Sequence, residues 1–337
     1  MSKKKRLLTG IKPTGDLTLG NYLGIIKPLI NFQKKFPEDY DFYLFIADLH
    51  SLTNFQDPFL LKKRIDNIIL LYLCSGLNMK NLLLFVQSDI FYVTYLNYIL
   101  ECNVYLGELK RMNQFKDYQQ KNKLKNNIRT SFLTYPVLMA SDILLYDSDV
   151  VLVGQDQKQH LELTRNIAIR FNKLYGSTFV VPNFLQLGKI IKSLTEPNKK
   201  MSKSKNIYDE FEDKGCIFLL EDLKNIKKKI MRSVTDSENK IKYDPFLKPG
   251  ISNLLVIYSC LKEWDIKKTE NYFSNSSYIF LKEKVSSLLI KEISIIQSNF
   301  FSFKTQKISN ILKENTKKVQ EIAEKKIIQV KKKIGLK

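Results

Sequence analysis

The sequence has little of what builds metal centres and disulfide frameworks. Its 337 residues include 2 histidines, 4 cysteines and 1 tryptophan. The cysteines lie far apart and form no Cys-x-x-Cys pair; they are Cys74, Cys102, Cys216 and Cys260. Neither a zinc site nor a disulfide framework is therefore expected. Such cysteine usage is typical of a reducing compartment, and it predicts a cytoplasmic location.

Long apolar runs are also missing. No run approaches the ~20 apolar residues that a membrane-spanning helix needs. The first residues, MSKKKRLLTG, lack the apolar stretch of a signal peptide and lead directly into a strand-like pattern. We therefore expect no membrane association and no cleaved leader.

Acidic residues are scarce relative to basic ones. The chain has 55 Lys and Arg against 34 Asp and Glu, a formal net charge of +21. An excess of this size favours a polyanionic partner such as nucleic acid. The abundance of lysine, asparagine and isoleucine also fits an AT-rich genome, so part of the charge needs no partner. Hydrophobic residues make up 44% of the chain, which is enough for a sizeable core and more than one domain.

Short apolar runs alternate with helical patterns through the first half of the chain. Strands are predicted at 5–10, 42–48, 82–87 and 149–154, and helices at about 19–35, 58–74, 92–101, 135–146 and 155–173. Apolar runs without alternation are typical of strands that are covered on both faces. The order predicts an α/β fold with a doubly wound parallel sheet, whose ligands bind beyond the carboxyl ends of the strands.

The second half lacks this alternation and predicts an α-helical C-terminal domain. Helices are expected at 216–232, 250–262 and 278–296, followed by an amphipathic helix with a lysine-rich face. That face fits either solvent or an RNA contact. The predicted domains are residues 1–194 with an inserted segment at about 92–135, residues 195–300, and residues 301–337, whose helix is expected to pack near the first domain.

Two motifs carry the predicted chemistry. The first, 9-TGIKPTGDLTLGN-21, follows a strand. Gly10 and Gly15 permit tight turns, and the residues from Thr18 onward open a helix whose free N–H donors suit a phosphate. Gly20 leaves room for a flat base or ribose, and Asn21 can donate to a phosphate oxygen. By itself, such a turn is more often only a turn.

The second motif, 198-NKKMSKSKN-206, crowds lysines that repel one another. It is either solvated surface or the partner of a strong anion. Together with TLGN, the run Lys200-Met201-Ser202-Lys203-Ser204 resembles the two signatures of class I aminoacyl-tRNA synthetases. The segments 107–117, 134–165, 234–237 and 248–255 are similar to bacterial tryptophanyl-tRNA synthetases, and the resemblance extends from about residue 7 to the C-terminus.

The resemblance implies a Rossmann-like catalytic domain that activates L-tryptophan with ATP. The products are tryptophanyl-adenylate and pyrophosphate, and tryptophan then moves to the 3′ end of tRNA(Trp). Mg²⁺ would travel with the ATP phosphates, without a protein-bound metal site. A homodimer through the 92–135 segment is implied, and residues 195–300 would lie on the anticodon side.

The chemistry agrees with this resemblance. A carboxylate is already ionised at neutral pH, so activation needs alignment and charge neutralisation rather than a general base. The implied catalytic residues are Lys200, Lys203 and Ser204. The residues implied to bind ATP are Ile11, Lys12, Pro13, Thr14, Thr18, Gly20, Asn21, Gly154, Gln155, Asp156, Ile191, Lys200, Met201, Ser202, Lys203 and Ser204.

An amino-acid pocket is predicted on one helix. Tyr135, Met139, Asp142 and Tyr146 follow the spacing of a single helix face. Asp142 is a carboxylate in an apolar setting and needs a donor, either a local partner or the indole N–H of tryptophan, which can only donate. The resemblance implies the indole. The residues it implies for tryptophan are His50, Tyr135, Met139, Asp142, Val151, Val153 and Gln157, whereas His160 is expected to be structural.

Five positions depart from the family pattern, and the first is Gln155, which stands where an acidic residue is more common. Leu8 stands where an aromatic residue is common, Lys12 where glutamine is common, and Lys192 where methionine is common. Tyr118 stands where a phosphate-binding lysine is often found, and Lys121 or Lys123 could substitute for it. These departures concern individual contacts rather than the reaction.

Three alternatives remain open at this point. Tyrosyl-tRNA synthetases share the fold and both signatures, but they need partners for a phenol and room for one ring. A simple nucleotidylyltransferase would have no need of the lysine motif. A non-catalytic RNA-binding paralogue would be expected to have lost that motif or Asp142, and both are intact.

Overall fold

A parallel sheet of five strands forms the centre of the N-terminal half. The computed structural model describes residues 4–121, 128–202, 213–303 and 305–337. The strands are β1 (Lys5–Ile11), β2 (Tyr40–Ile46), β3 (Leu82–Val86), β4 (Val150–Leu152) and β5 (Asn183–Leu185). They lie in the order β3-β2-β1-β4-β5, all parallel. The predicted α/β class is confirmed, and the order reverses between β1 and β4, which opens a crevice at their carboxyl ends.

Helices cover both faces of this sheet. The first of them, α1 (Leu19–Asn21), continues through a π-helical turn (Tyr22–Ile26) into α2 (Lys27–Lys35). The others are α3 (Asp48–Ser51), α4 (Pro58–Cys74), α5 (Tyr92–Glu101), α6 (Leu106–Lys110), α7 (Asn113–Lys121), α8 (Thr130–Leu144) and α9 (Lys158–Tyr175). The predicted bounds of α4 and α5 agree with the structure. The strand β5 was not predicted, because only two of its three residues are apolar and Pro182 directly precedes it.

The C-terminal part is helical, as expected. Its helices are α10 (Leu223–Met231), α11 (Pro249–Lys262), α12 (Ile266–Phe273), α13 (Tyr278–Ser302) and α14 (Thr305–Ile334). The predicted helix at 216–232 is shorter in the structure, because Asp222 caps it by accepting hydrogen bonds from Lys224 N and Asn225 N. The short helix α12 was not predicted.

The last helix lies against the N-terminal half. Buried residues of α14, among them Val319 and Val330, share an apolar core with the α8 side of the sheet. Asn315 Nδ2 donates to Leu84 O at 3.2 Å, and the buried Lys326 ammonium lies 2.7 Å from Asp147 Oδ1. Within the described ranges, no helix combines the length and apolar character that crossing a membrane requires.

Candidate active site

A large cavity opens outside the carboxyl ends of β1, β2 and β4. Its volume is about 1290 Å³, which exceeds the roughly 300–1,000 Å³ of an ordinary small-molecule site and gives room for two ligands. Most of the predicted site residues line it, namely Ile11, Lys12, Thr14, Thr18, Asn21, His50, Tyr135, Met139, Asp142, Val151, Val153, Gly154, Asp156, Gln157, Lys200, Met201 and Ser202.

Some predicted residues are placed elsewhere. Pro13, Gly20, Gln155 and Ile191 are not part of the cavity wall. Lys203 and Ser204 lie outside the described residues, as do Lys123 and the side chain of Lys121. Tyr146, which shares the predicted helix face with Asp142, is buried in the core and stacks on Tyr43 at 5.8 Å between ring centroids.

The two signature motifs meet at this cavity. The Met201 N–H donates to Ile191 O at 2.9 Å, and Lys192 and Lys200 form an antiparallel bridge. A Cβ placed on Gly20 would lie 3.7 Å from Met201 O, so the start of the lysine motif runs beside the first turn of α1. The carbonyl of Ile191 thus already accepts one of its two possible hydrogen bonds, and the side chain is buried.

The first turn of α1 is largely capped by the protein itself. The Leu19 N–H donates to Ile217 O at 2.8 Å, and the Asn21 N–H donates to Thr18 Oγ1 at 3.2 Å. The expectation of free helix N–H donors is therefore wrong for these two amides. Asn21 Oδ1 accepts from Thr18 N, and this bond turns the amide group so that its nitrogen remains available to a ligand.

Asp142 lies at the bottom of the cavity on α8. Its carboxylate accepts from Gln87 Nε2 at 2.8 and 2.9 Å and lies 3.0 Å from His50 Nε2. Burial raises the pKa of Asp142, and the bonds from His50 and Gln87 offset only part of that effect. A carboxylate offers about four acceptor sites, so roughly one remains for a donor in the cavity.

A second polar group lies beside Asp142 and is centred on Tyr135. The Tyr135 hydroxyl contacts Gln114 Oε1 and lies 3.0 Å from His160 Nε2. His160 Nδ1 lies 2.8 Å from Gln157 Oε1. Burial lowers the pKa of His160 to about 4, so the ring is neutral at pH 7. Because Gln157 Oε1 can only accept, Nδ1 carries the proton, so His160 Nε2 and Gln114 Oε1 are two acceptors that share the single Tyr135 O–H proton.

Two lysines, Lys12 and Lys200, line the cavity. Lys200 Nζ lies 3.7 Å from Asp156 Oδ1, and Gln157 Nε2 donates to Asp156 Oδ2 at 2.7 Å. Burial alone would raise the pKa of Asp156, but the Gln157 bond and the Lys200 charge hold that pKa below its usual value. Lys12 Nζ donates to Thr53 Oγ1 at 3.0 Å, and burial lowers the pKa of Lys12.

The departures from the family pattern have visible consequences. Leu8 and Phe45 both line the cavity. A Cβ on Gly10 would lie 2.5 Å from the Phe45 ring, so position 10 requires glycine. Lys192 Nζ points to Asn198 O at 3.4 Å. The Tyr118 ring packs on Phe132 at 4.1 Å between centroids, and Phe132 in turn lines the cavity.

Sequence reasoning missed several contributors, and it gave His160 only a structural role. Gln87 hydrogen-bonds to Asp142, and Thr53 hydrogen-bonds to Lys12. Both Gln114 and His160 contact the Tyr135 hydroxyl. The position of Gln87 at the end of the third predicted strand was a usable signal, since ligands bind at strand ends. His160 lies three residues after Gln157, on the same helix face. Among the described residues, no group of three or more His, Cys, Asp or Glu side chains could hold a metal ion.

Comparison with known proteins gives one consistent family. The model of the tRNA synthetases class I (W and Y) matches residues 1–294. A tryptophan–tRNA ligase from Caldanaerobacter subterraneus is 42% identical over 334 residues, which is 98% of either chain. A crystal structure of tryptophanyl-tRNA synthetase from Mycoplasma pneumoniae superposes with a TM-score of 0.89 at 34% identity and covers 99% of both chains. The Campylobacter jejuni enzyme, solved with ADP and tryptophan, has a TM-score of 0.77 at 28% identity and covers 98% of this chain and 100% of that one.

Proposed function

The chain belongs to the class I tRNA synthetases of the tryptophan and tyrosine type, and from this premise we propose that it joins L-tryptophan to tRNA(Trp). The enzyme activates tryptophan with ATP and releases pyrophosphate. The adenylate then passes tryptophan to the 3′ end of the tRNA. The single observation that carries this function is the buried Asp142 carboxylate at the bottom of a two-ligand cavity.

Asp142 supports the choice of tryptophan. The indole N–H can donate a hydrogen bond but cannot accept one. The Asp142 carboxylate has one acceptor site left after its hydrogen bonds with Gln87 and His50. Met139, Val151 and Val153 supply apolar walls for the rings. A buried acceptor that is matched to one donor discriminates strongly, because a ligand without that donor leaves the acceptor unpaired.

Tyr135 and Gln157 support binding of the α-ammonium group. Neutral His160 accepts from one side and donates on the other, which fixes both neighbouring side chains. Burial and the nearby Asp156 charge raise the pKa of Tyr135, so its hydroxyl stays protonated. A charged imidazole at this place would repel an ammonium group, and the low pKa of His160 avoids that repulsion.

The cations support the phosphate chemistry. In activation, a tryptophan carboxylate oxygen forms a bond to the α-phosphorus, and the bond from that phosphorus to the bridging oxygen breaks. Pyrophosphate leaves with the electron pair, and no proton is transferred. Lys12 follows β1 and Lys200 lies near β4, so their charges flank the crevice between these strands. Lys203 would add a third charge.

Mg²⁺ and a second subunit complete the proposal. Mg²⁺ would be held by the ATP phosphates. The 92–135 segment would form a two-fold dimer, since it and its flank expose Phe91, Tyr98, Tyr105 and Leu106. Residues 195–300 would serve the anticodon side, and the reaction would take place in the cytoplasm, where translation uses its product.

One experiment tests this function. Each of the twenty amino acids is offered separately in an ATP–pyrophosphate exchange assay with Mg²⁺, followed by charging of tRNA(Trp). We expect exchange with tryptophan alone. Exchange with tyrosine instead would overturn the specificity, and no exchange with any amino acid would overturn the enzymatic function.

A further inference from the structure

One wall of the catalytic cavity exposes large aromatic side chains to solvent. Residues 54–57 line the cavity, and Phe55 is 77% exposed. Phe59, at the start of α4, is 76% exposed. We call residues 52–63 the aromatic rim. Single exposed apolar residues are ordinary on a protein surface, but two rings at the mouth of a catalytic cavity indicate a contact surface.

Hydrogen bonds at Thr53 and Asp57 fix the backbone of the aromatic rim. Thr53 is buried, and its hydroxyl donates to His50 O at 2.9 Å. Asp57 caps α4 by accepting from Leu60 N at 2.9 Å. The rings of Phe55 and Phe59 are therefore presented on an anchored backbone, so little conformational entropy would be lost when a ligand binds them.

Cations accompany the rings. Lys62 and Lys63 are exposed and lie three and four residues after Phe59, on the same face of α4. The exposed Arg129, at the start of α8, donates to Leu52 O at 3.4 Å. Of the two acids nearby, Asp57 is engaged in the cap and Asp66 lies one turn further along the helix. Exposed rings interleaved with cations are typical of surfaces that bind single-stranded nucleic acid.

We propose that the aromatic rim binds the single-stranded 3′ end of the tRNA. Its bases stack on Phe55 and Phe59, and its phosphates pair with Lys62 and Lys63. The inference rests on the proposed function, because in the transfer step the terminal ribose must enter this cavity to reach the adenylate. The rim is continuous with the cavity wall, so a strand that crosses the rim leads directly to the reacting atoms.

The test separates the two steps of the reaction. Phe55→Ala and Phe59→Ala are compared with Phe301→Ala, a control on α13 that is 74% exposed and far along the chain from the cavity residues. Tryptophan-dependent pyrophosphate exchange should stay within about two-fold of the parent for Phe59→Ala and Phe301→Ala, whose side chains lie outside the cavity wall. Single-turnover transfer from preformed adenylate to tRNA should fall roughly 10-fold or more for each rim variant, the size of one lost stacking contact.

Two further variants sharpen the result. Phe55→Tyr keeps an aromatic face and should restore transfer. The double variant Lys62→Ala, Lys63→Ala should weaken tRNA binding and reduce its salt dependence, because fewer phosphates are neutralised. Equal losses in exchange and transfer would make the rim a cover for the small substrates and overturn the proposal. Unchanged transfer in both phenylalanine variants would overturn it as well, whereas a parent without exchange would instead disprove the proposed function.

Discussion

Gln87 holds both oxygens of Asp142 with one amide nitrogen, at 2.8 and 2.9 Å. The Gln87 amide is itself fixed, since its Oε1 accepts from Leu49 N at 3.1 Å. Gln87 and Asp142 are both buried, and they lie on segments that are distant in sequence. The carboxylate is therefore oriented before any ligand arrives, and a donor that enters the cavity meets a preformed acceptor.

The first prediction concerns Asp142. Asp142→Ala should weaken tryptophan binding by roughly 1–3 kcal/mol, the usual cost of an unsatisfied buried donor, and should leave ATP binding almost unchanged. Separate titrations of the two ligands measure this difference. Equal weakening of both would show that Asp142 does not contact the indole.

Asp142→Asn is the matched control for folding. The pKa of Asp142 is raised in the folded state, so the folded protein holds this proton more tightly than the unfolded chain does. Ionised Asp142 therefore costs stability above its folded-state pKa. The Asn variant removes the ionisation but places an amide nitrogen opposite the Gln87 and His50 donors, so we expect it to bind tryptophan more weakly and to lose the part of the pH dependence of the unfolding free energy that Asp142 causes. Chemical denaturation at several pH values measures this, and an unchanged pH dependence would contradict this account.

The second prediction concerns His160 and pH. Its pKa falls from 6.5 in the unfolded chain to about 4 in the folded protein, so the unfolded chain binds the proton preferentially between these values. The stability from neutral His160 is fully present above pH 6.5 and is lost as the pH falls toward 4. The loss amounts to about 3 kcal/mol. The free energy of unfolding, measured by denaturation at several pH values between 4 and 7, should therefore change less with pH for His160→Gln than for the parent.

The third prediction concerns Lys12. Its ammonium opens into the cavity, and Thr53 is its partner among the residues that the structure describes. If Lys12 neutralises charge in the transition state, Lys12→Met should lower the rate of adenylate formation by roughly 10²–10³-fold with little change in tryptophan affinity. Lys80, exposed at the opposite edge of the sheet before β3, provides the control Lys80→Met. Similar rates for both variants in rapid-quench measurements would exclude this role.

The fourth prediction concerns Lys203 in the lysine motif. Lys203→Ala should lower kcat and kcat/KM for activation together, as expected when a contact forms mainly in the transition state. Lys205→Ala, just beyond the five-residue signature, should cost far less. Pre-steady-state adenylate formation compares the two, and folding should be unaffected in both. Equal rates for both variants and the parent would mean that these lysines are solvated surface.

The sequence by itself determined four of the five strands, the main helices along the chain and the type of site. Uninterrupted apolar runs marked four strands, and the bounds of α4 and α5 followed from their helical patterns. The spacing of Tyr135, Met139 and Asp142 placed three cavity residues on one helix face. These features are local, since each depends on the period of a single element.

Only the tertiary structure decided which side chains form hydrogen bonds to the functional groups. His50 and Asp142 are 92 positions apart and Gln87 and Asp142 are 55 apart, yet they share one hydrogen-bonded group. The strand order β3-β2-β1-β4-β5 brings these strand ends and α8 together, and nothing in a local pattern specifies that order. The same holds for Thr53 beneath Lys12 and for His160 beside Tyr135, because a hydrogen bond between distant segments depends on how the whole chain packs.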